Sequence, residues 1–277
     1  MVKTISCPGC GSVFIKKHGR HNEKQRYRCG DCGQTFTETS SSIFHGQKLT
    51  EITLRTIINL MLNDTKLVAI ADVLRLSSRT VYMWRMKIYK VAGEMIKSAM
   101  LQDFVWIDEL LVTVNKRMII NKTDGKQFRG VSRNQIVIAC GVDIHGIKYA
   151  EIASRGHITR QRCLETYGRH IKQGSFIYHD GIFSHDKLIL ELKANHRIHK
   201  SIAKSSKKTM QPINSFCAEI ARNLVVHSGL RTENLQDYLN WIVFKNSISC
   251  TEIEEKVNAL VVKCFESKVV YRVKDRY

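Results

Sequence analysis

From about residue 100 the chain changes its period. "FVWIDELLVTV" (104–114), "NQIVIACGVDI" (134–144) and "IKYAEIAS" (147–154) are apolar runs of strand length, and "VDIHGIK" between the last two suits a hairpin around Gly146. Helical spacing follows over 159–171, then a short strand "SFIYHD", a helix "HDKLILELK", a short strand near "HRIHKSI" and a helix starting near Pro212. Three strands, then helix, strand, helix, strand, helix is the element order of a ribonuclease-H-like fold, an α/β architecture expected for residues 99–228. Two more amphipathic helices, "TENLQDYLNWIVF" and "EIEEKVNALVVKCF", and a short basic tail occupy 229–277.

The first strand contains a physical problem, because "WIDEL" places two acids inside an apolar run. An ionised carboxylate removed from water costs several kcal/mol, on the order of the relaxed penalty in real proteins. Strand alternation puts Trp106, Asp108 and Leu110 on one face and Glu109 on the other, so only one of the two acids can enter a given site. A second strand-end acid is Asp180 in "FIYHDG", again after an apolar run and before a glycine. Two carboxylates meeting across one sheet repel unless a cation lies between them, and hard oxygen ligands suit magnesium. The competing account is a solvated strand end for Asp180 and an Arg or Lys partner for Asp108.

Ahead of this core, Cys7, Cys10, Cys29 and Cys32 form C-x2-C-x18-C-x2-C. Two knuckles presenting two sulfurs each can close a tetrahedral thiolate site for one structural zinc ion, with Gly9, Gly11, Gly30 and Gly33 supplying the turns. With four cysteines present, His18 and His21 are not needed as ligands. The stretch between the pairs, "IKKHGRHNEKQRYR", is basic, which suits a ribbon that touches phosphates and equally a solvated face. In "TKLVAIADVLRLSSRTVYMWRMKI" (65–88), Val68, Ala71 and Leu74, then Val81, Trp84 and Ile88, recur at helical spacing around candidate caps Ser77 and Ser78. That is a helix-turn-helix pattern, shared with any compact helical hairpin. Its second helix would present Arg79, Thr80, Tyr82, Met83 and Arg85 to DNA. The expected domains are therefore a zinc ribbon (1–45), a helix-turn-helix (46–98), the ribonuclease-H-like core (99–228) and C-terminal helices (229–277).

Charge narrows the partner. There are 44 Lys and Arg against 25 Asp and Glu, a net +19, far more than solubility requires and pointing to a polyanion, with nucleic acid foremost. No signal peptide and no apolar run near the roughly 18 residues of a spanning helix is present, so a cytoplasmic chain without a membrane partner is expected. Nine cysteines, an odd count with four in metal spacing, fit reduced thiols; Cys140, Cys163, Cys250 and Cys264 sit in apolar periodic stretches and read as core residues. "KANHRIHKSIAKSSKK" (193–208) is basic and free of acid, and Lys200, Lys204, Lys207 and Lys208 are candidates for clamping a DNA backbone, or for a solvated loop.

"CPGCGS", "RCGDCGQTF", the helix-turn-helix, "WIDEL", "GSFIYHDG" and above all "PINSFCAEIARNLVVHSGLRTENLQDYLNWIVF" resemble the zinc-ribbon-headed DDE transposases of bacterial insertion sequences, over nearly the whole chain. The resemblance implies a core with one acid on the first strand, a second after the fourth strand, and a Glu or Asn early in the next helix. Asp108 matches the first, Asp180 the second and Asn214 in "INSF" the third. It also implies phosphoryl transfer with two magnesium or manganese ions, Asp108 bridging both, cutting at element ends and joining the freed 3′-hydroxyls to target DNA. Partners would be double-stranded DNA, both terminal inverted repeats and target, and further copies of the chain in a nucleoid-associated homo-oligomer.

The third ligand has a rival. The Asn form of the family continues with His three residues on and Lys seven on, where this chain has Cys217 and Ala221. If Ile213, Phe216, Cys217, Ile220 and Leu224 form the buried stripe, Asn214 and Glu219 fall on opposite flanks, about 100° and 120° away at 3.6 residues per turn, and cannot serve one site. Asn214 is the choice from the motif. Two other functions fit the same residues: an inactive DNA-binding remnant or regulator, and a metal nuclease of ribonuclease-H-like fold acting on branched or hybrid nucleic acid.

Overall fold

The computed structural model describes residues 5–21, 24–38, 40, 42–44, 49–113, 135–199, 209–226, 230–247 and 252–267. They form two compact units, one from residues 1–91 and 251–277, the other from 92–250.

In the first unit, strands β1 (Ile15–His21), β2 (Lys24–Cys29) and β3 (Thr35–Thr37) make an antiparallel sheet in that order. Its core is small: Cys7, Tyr27, Cys29 and Phe36. So few buried groups offset little chain entropy, which is why a ribbon of this size needs a metal staple. Helix α1 (Glu51–Leu62) starts where Thr50 Oγ1 accepts from Thr53 N, and it buries Leu54, Ile57, Ile58, Met61 and Leu62, one face at helical spacing. Helices α2 (Leu67–Leu74) and α3 (Ser78–Ile96) follow, α3 capped by Ser77 Oγ accepting from Thr80 N at 3.1 Å. Arg75, at φ 52° in the left-handed region, turns the chain between them. The inward face of α2 differs from the expected stripe. Ile70 and Ala71 are buried and Val68 is 61% exposed, because a two-turn helix with apolar residues on both flanks has no periodicity strong enough to fix its rotation. Lys87 is buried in α3, donating to Ile43 O at 2.6 Å with its ammonium 4.5 Å from the Trp84 ring centre, and burial pushes it down to about 8.

The second unit is a five-stranded mixed sheet of β4 (Phe104–Thr113), β5 (Gln135–Asp143), β6 (Lys148–Arg155), β7 (Phe176–His179) and β8 (Asn195–Ile198), in the order β6-β5-β4-β7-β8. The first three strands are antiparallel; β7 and β8 join parallel. This is the ribonuclease-H-like arrangement that the element order predicts. Buried Asp143 accepts from Gln102 N, His145 N and Ile147 N, closing the β5–β6 hairpin, in which Gly146 at φ 78° makes the turn.

Helices α4 (Arg160–Tyr167) and α5 (Asp186–Glu191) cover one face, with Cys163, Tyr167 and Leu188 packing on Val105, Ile107, Val137, Ala139 and Ile177. Helices α6 (Gln211–Val226) and α7 (Leu235–Lys245) cover the other, where Ile213, Phe216, Cys217 and Ile220 meet Ile136, Ile138, Cys140 and Val142. Each such apolar side chain withdrawn from water contributes about 1.5–3 kcal/mol. The helix expected over 159–171 ends at Tyr167, because Leu101 N donates to His170 O and Lys172 N to Leu101 O, drawing that segment into strand-like pairing. The two C-terminal helices separate: α7 packs on β6 in the second unit, and α8 (Ile253–Glu266) on α1 in the first. Cys140, Cys163 and Cys264 are buried as expected; Cys250 lies outside the described residues. Among the described residues, no helix is long and apolar enough to cross a membrane.

Candidate active site and metal centres

The acids on β4 and β7 come together through register. Phe104 pairs with Phe176 and Trp106 with Tyr178 on these parallel neighbours, whose spacing is about 4.8 Å; Asp108 comes two residues after Trp106 on β4, and Asp180 two residues after Tyr178, just past the end of β7, near enough for its charge to act on Asp108. Asp108 pairs with Cys140, whose side chain is in the core under α6, and so lies on the sheet face that α6 covers. Asp108 Oδ1 accepts from Glu109 N at 2.9 Å, and Asp180 Oδ1 from Ile182 N at 3.1 Å, fixing one oxygen of each. Burial, then the charges of Glu109 and Asp180, push the Asp108 carboxyl up to about 6. Burial also raises Asp180. Among the described residues, no Lys or Arg forms an ion pair with either acid. Two half-buried carboxyls, both raised by burial and Asp108 also by the charge of Asp180, are what a divalent cation would relieve, and the oxygen donors fit such an ion.

Glu109 points the other way, into a buried network that spacing alone did not reveal. Tyr167 on α4 donates its hydroxyl to Glu109 Oε1 at 3.0 Å and to the Asp108 carbonyl at 2.9 Å. His185 Nε2 meets Glu109 Oε1 at 2.9 Å, His185 Nδ1 is 3.0 Å from His179 Nδ1, and His179 Nε2 is 3.0 Å from His196 Nδ1. His185 Nδ1 is also 3.9 Å from Asp180 Oδ1. Burial alone would lower His185, but the bond to Glu109 and its charge override this and raise it; His179, lacking such a partner, is pushed down to about 4 by burial. Glu109 and His185 are thus a buried hydrogen-bonded pair behind the acids, 76 positions apart in sequence, with Tyr167, 58 positions from Glu109, joining them. His179, Asp180 and His185 lie close enough to offer a joint metal-binding set.

On α6 the stripe Ile213, Phe216, Cys217 and Ile220 is buried, with Asn214 exposed on one flank and Glu219 half-buried on the other. The helix packs on β4 and β5, the face that carries Asp108. In the first unit, the sulfurs of Cys7 and Cys32 are 3.5 Å apart, as are those of Cys10 and Cys29, and all four lie within 4.8 Å of one another. Sulfurs 2.3 Å from a common centre stand about 3.8 Å apart in a tetrahedron, so the cluster fits a zinc ion. Backbone N–H groups, first that of Cys32, pull Cys29 down to about 6, toward the thiolate that binds metal.

On α3, Arg79 is exposed, and Tyr82 and Arg85 are half-buried with the guanidinium 5.3 Å from the ring centre. The Thr80 hydroxyl is 2.8 Å from Ser77 Oγ and takes part in the helix cap. Lys200, Lys204, Lys207 and Lys208 lie outside the described residues.

The mixed sheet with helices on both faces defines an α/β protein with a ribonuclease-H-like core, joined in one chain to a four-cysteine cluster. The chain belongs to the ISXO2-like transposase domain family, whose sequence model matches residues 100–247. No curated protein matches it. Among solved structures, a chain of the simian T-cell lymphotropic virus intasome, determined by cryo-electron microscopy in complex with PP2A regulatory subunit B56 gamma, is similar at 11% identity. That similarity covers 51% of this chain and 48% of the other, about half its length, at a TM-score of 0.34.

Proposed function

We propose that this protein is the transposase of an insertion sequence, which binds the element's terminal inverted repeats, cuts DNA at the ends and joins the freed 3′-hydroxyls to target DNA. The observation that supports this is that Asp108 and Asp180 each follow by two residues the paired Trp106 and Tyr178 of neighbouring parallel strands, each with one oxygen held by a backbone N–H and with no Lys or Arg partner among the described residues. Asp108 and Asp180, with Asn214 from the helix covering that face, are the residues to hold magnesium or manganese; Glu219 is the rival third ligand. Bound there, divalent ions supply Lewis acidity to a phosphoryl oxygen and lower the pKa of an attacking water or hydroxyl. The protein's own part is to orient: the fixed oxygens leave Oδ2 of each acid for the site, and the Glu109–His185 pair holds the strand ends from behind.

End recognition falls to the zinc ribbon (1–45) and the helix-turn-helix (46–98), through the outer face of α3 with Arg79, Tyr82 and Arg85. Bringing two ends together calls for more than one copy of the chain. The test is cleavage of labelled element ends by the full-length protein with magnesium. Asp108→Asn is expected to bind the ends as the wild type does and to release no product; retained cleavage removes Asp108 from the mechanism.

One observation favours a second reading, a DNA-binding remnant without catalysis. The helix positions at which the family's Asn form has His and Lys are here Cys217, which is buried, and Ala221. Tight end binding with no product under any divalent ion identifies that case.

A further inference from the structure

The strand faces that carry the two acids also carry an aromatic strip. Phe104 and Trp106 precede Asp108 on β4, and Phe176 and Tyr178 precede Asp180 on β7, all at alternate positions and therefore on one face. Trp106 and Tyr178 stack with centres 5.2 Å apart and planes 11° from parallel; Phe104 is 5.8 Å from Phe176 and 6.4 Å from Tyr178. His199, just past β8, adds a fifth ring 5.8 Å from Tyr178. Trp106 and Tyr178 are partly buried against the core that α6 covers, whereas Phe104, at the far end of the row, is 43% exposed. Two strand residues span about 6.6 Å, so the Trp106–Tyr178 rung lies one step from the acids.

We infer that this strip is a stacking platform for unpaired nucleotides flanking the phosphodiester that is cut. The inference rests on the transposase reading above and adds to it where the displaced bases go. Three features select a nucleic acid over an apolar protein surface. Arg197, paired in register with Tyr178, is exposed on the neighbouring strand, and a cation beside aromatic rings is the usual composition of a single-strand binding surface. The net charge of +19 favours a polyanion. Trp106 Nε1 and His199 Nε2, buried beside the rings, have no hydrogen-bond partner among the described residues, so the strip carries polar ring atoms that a purely apolar protein contact would leave unsatisfied.

The test uses the full chain and two probes, a blunt duplex and the same duplex with an unpaired 3′ thymidine tail interrupted by one 2-aminopurine. The wild type should bind the tailed probe more tightly and quench the 2-aminopurine. Phe104→Leu, which keeps apolar bulk at an exposed position, should weaken tail binding by about tenfold, the loss of roughly one base–ring stack, and reduce the quench while leaving blunt-duplex affinity unchanged. Phe104→Tyr should behave as wild type, which separates loss of the ring from loss of fold. Equal affinity for both probes, or a Phe104→Leu protein indistinguishable from wild type, overturns the platform. So does a Phe104→Leu protein that loses self-association with its tail affinity intact, since the strip would then be a contact between copies. Asp108→Asn, run in parallel, should quench but not cut; if it cuts, the catalytic reading fails while the tail-dependent quench stands by itself.

Discussion

Glu109 shows how one residue's neighbours decide its role. It sits beside Asp108 in the chain, yet the strand's alternation sends it to the opposite face, where Tyr167 and His185 hold Oε1 and Oε2 has no partner among the described residues. Its side chain is 5% exposed and that of His185 is 0% exposed. Removing one member of a buried pair leaves the other uncompensated, so the pair matters more through its disruption than through its net attraction. Glu109→Leu is expected to destabilise the core by about 3–5 kcal/mol in urea unfolding, and Glu109→Gln by less, because an amide oxygen still accepts from His185. Equal stabilities for Glu109→Leu and wild type would show that the network carries no load. Asp108 differs: among the described residues its carboxylate accepts only from the backbone N–H of Glu109, and burial raises its proton affinity.

At the scale of elements, what was legible followed from strong local periodicity. The strands of 104–113, 135–143 and 148–155 were readable because each is an apolar run of strand length, and the helix from Gln211 because Ile213, Phe216, Cys217 and Ile220 recur on one side. The end of α4 was not, since pairing of residues 170–172 with Leu101 depends on a strand partner far away in the chain. Nor was the inward face of α2, or the Tyr167–Glu109–His185–His179 network, whose members meet only once the sheet and two helices are packed. The cysteine cluster was legible for the opposite reason: a four-sulfur metal site needs only two short knuckles, and spacing specifies them. Because the ribbon's own core is four residues, its order should depend on that metal. Chelation, or Cys29→Ser, is expected to unfold the ribbon and weaken DNA binding while the far-ultraviolet signal of the helices and the second unit persists. An unchanged amide spectrum for 5–38 after metal removal would contradict it.

For the whole molecule, the charge imbalance is the property that no single site explains. A net +19 draws DNA in before any base is read, and the affinity gained this way is set by how many phosphates lose their counterions. The salt dependence of binding therefore counts contacts, with a slope near 0.9 per phosphate neutralised on duplex DNA. Lys200, Lys204, Lys207 and Lys208 come just before α6 in the chain, the helix that carries Asn214, and a role as a backbone clamp makes a numerical demand. Replacing all four by Ala should flatten the plot of log affinity against log salt by about 3–4, and weaken binding to every sequence alike, since phosphate contacts carry no sequence information. Arg79→Ala, exposed on α3, and Arg85→Ala, half-buried on the same helix, should instead narrow the difference between element ends and unrelated duplex, with a slope change near one each. A quadruple variant with an unaltered slope would return those lysines to solvent and leave the phosphate contacts to the basic strands of the ribbon and to α3.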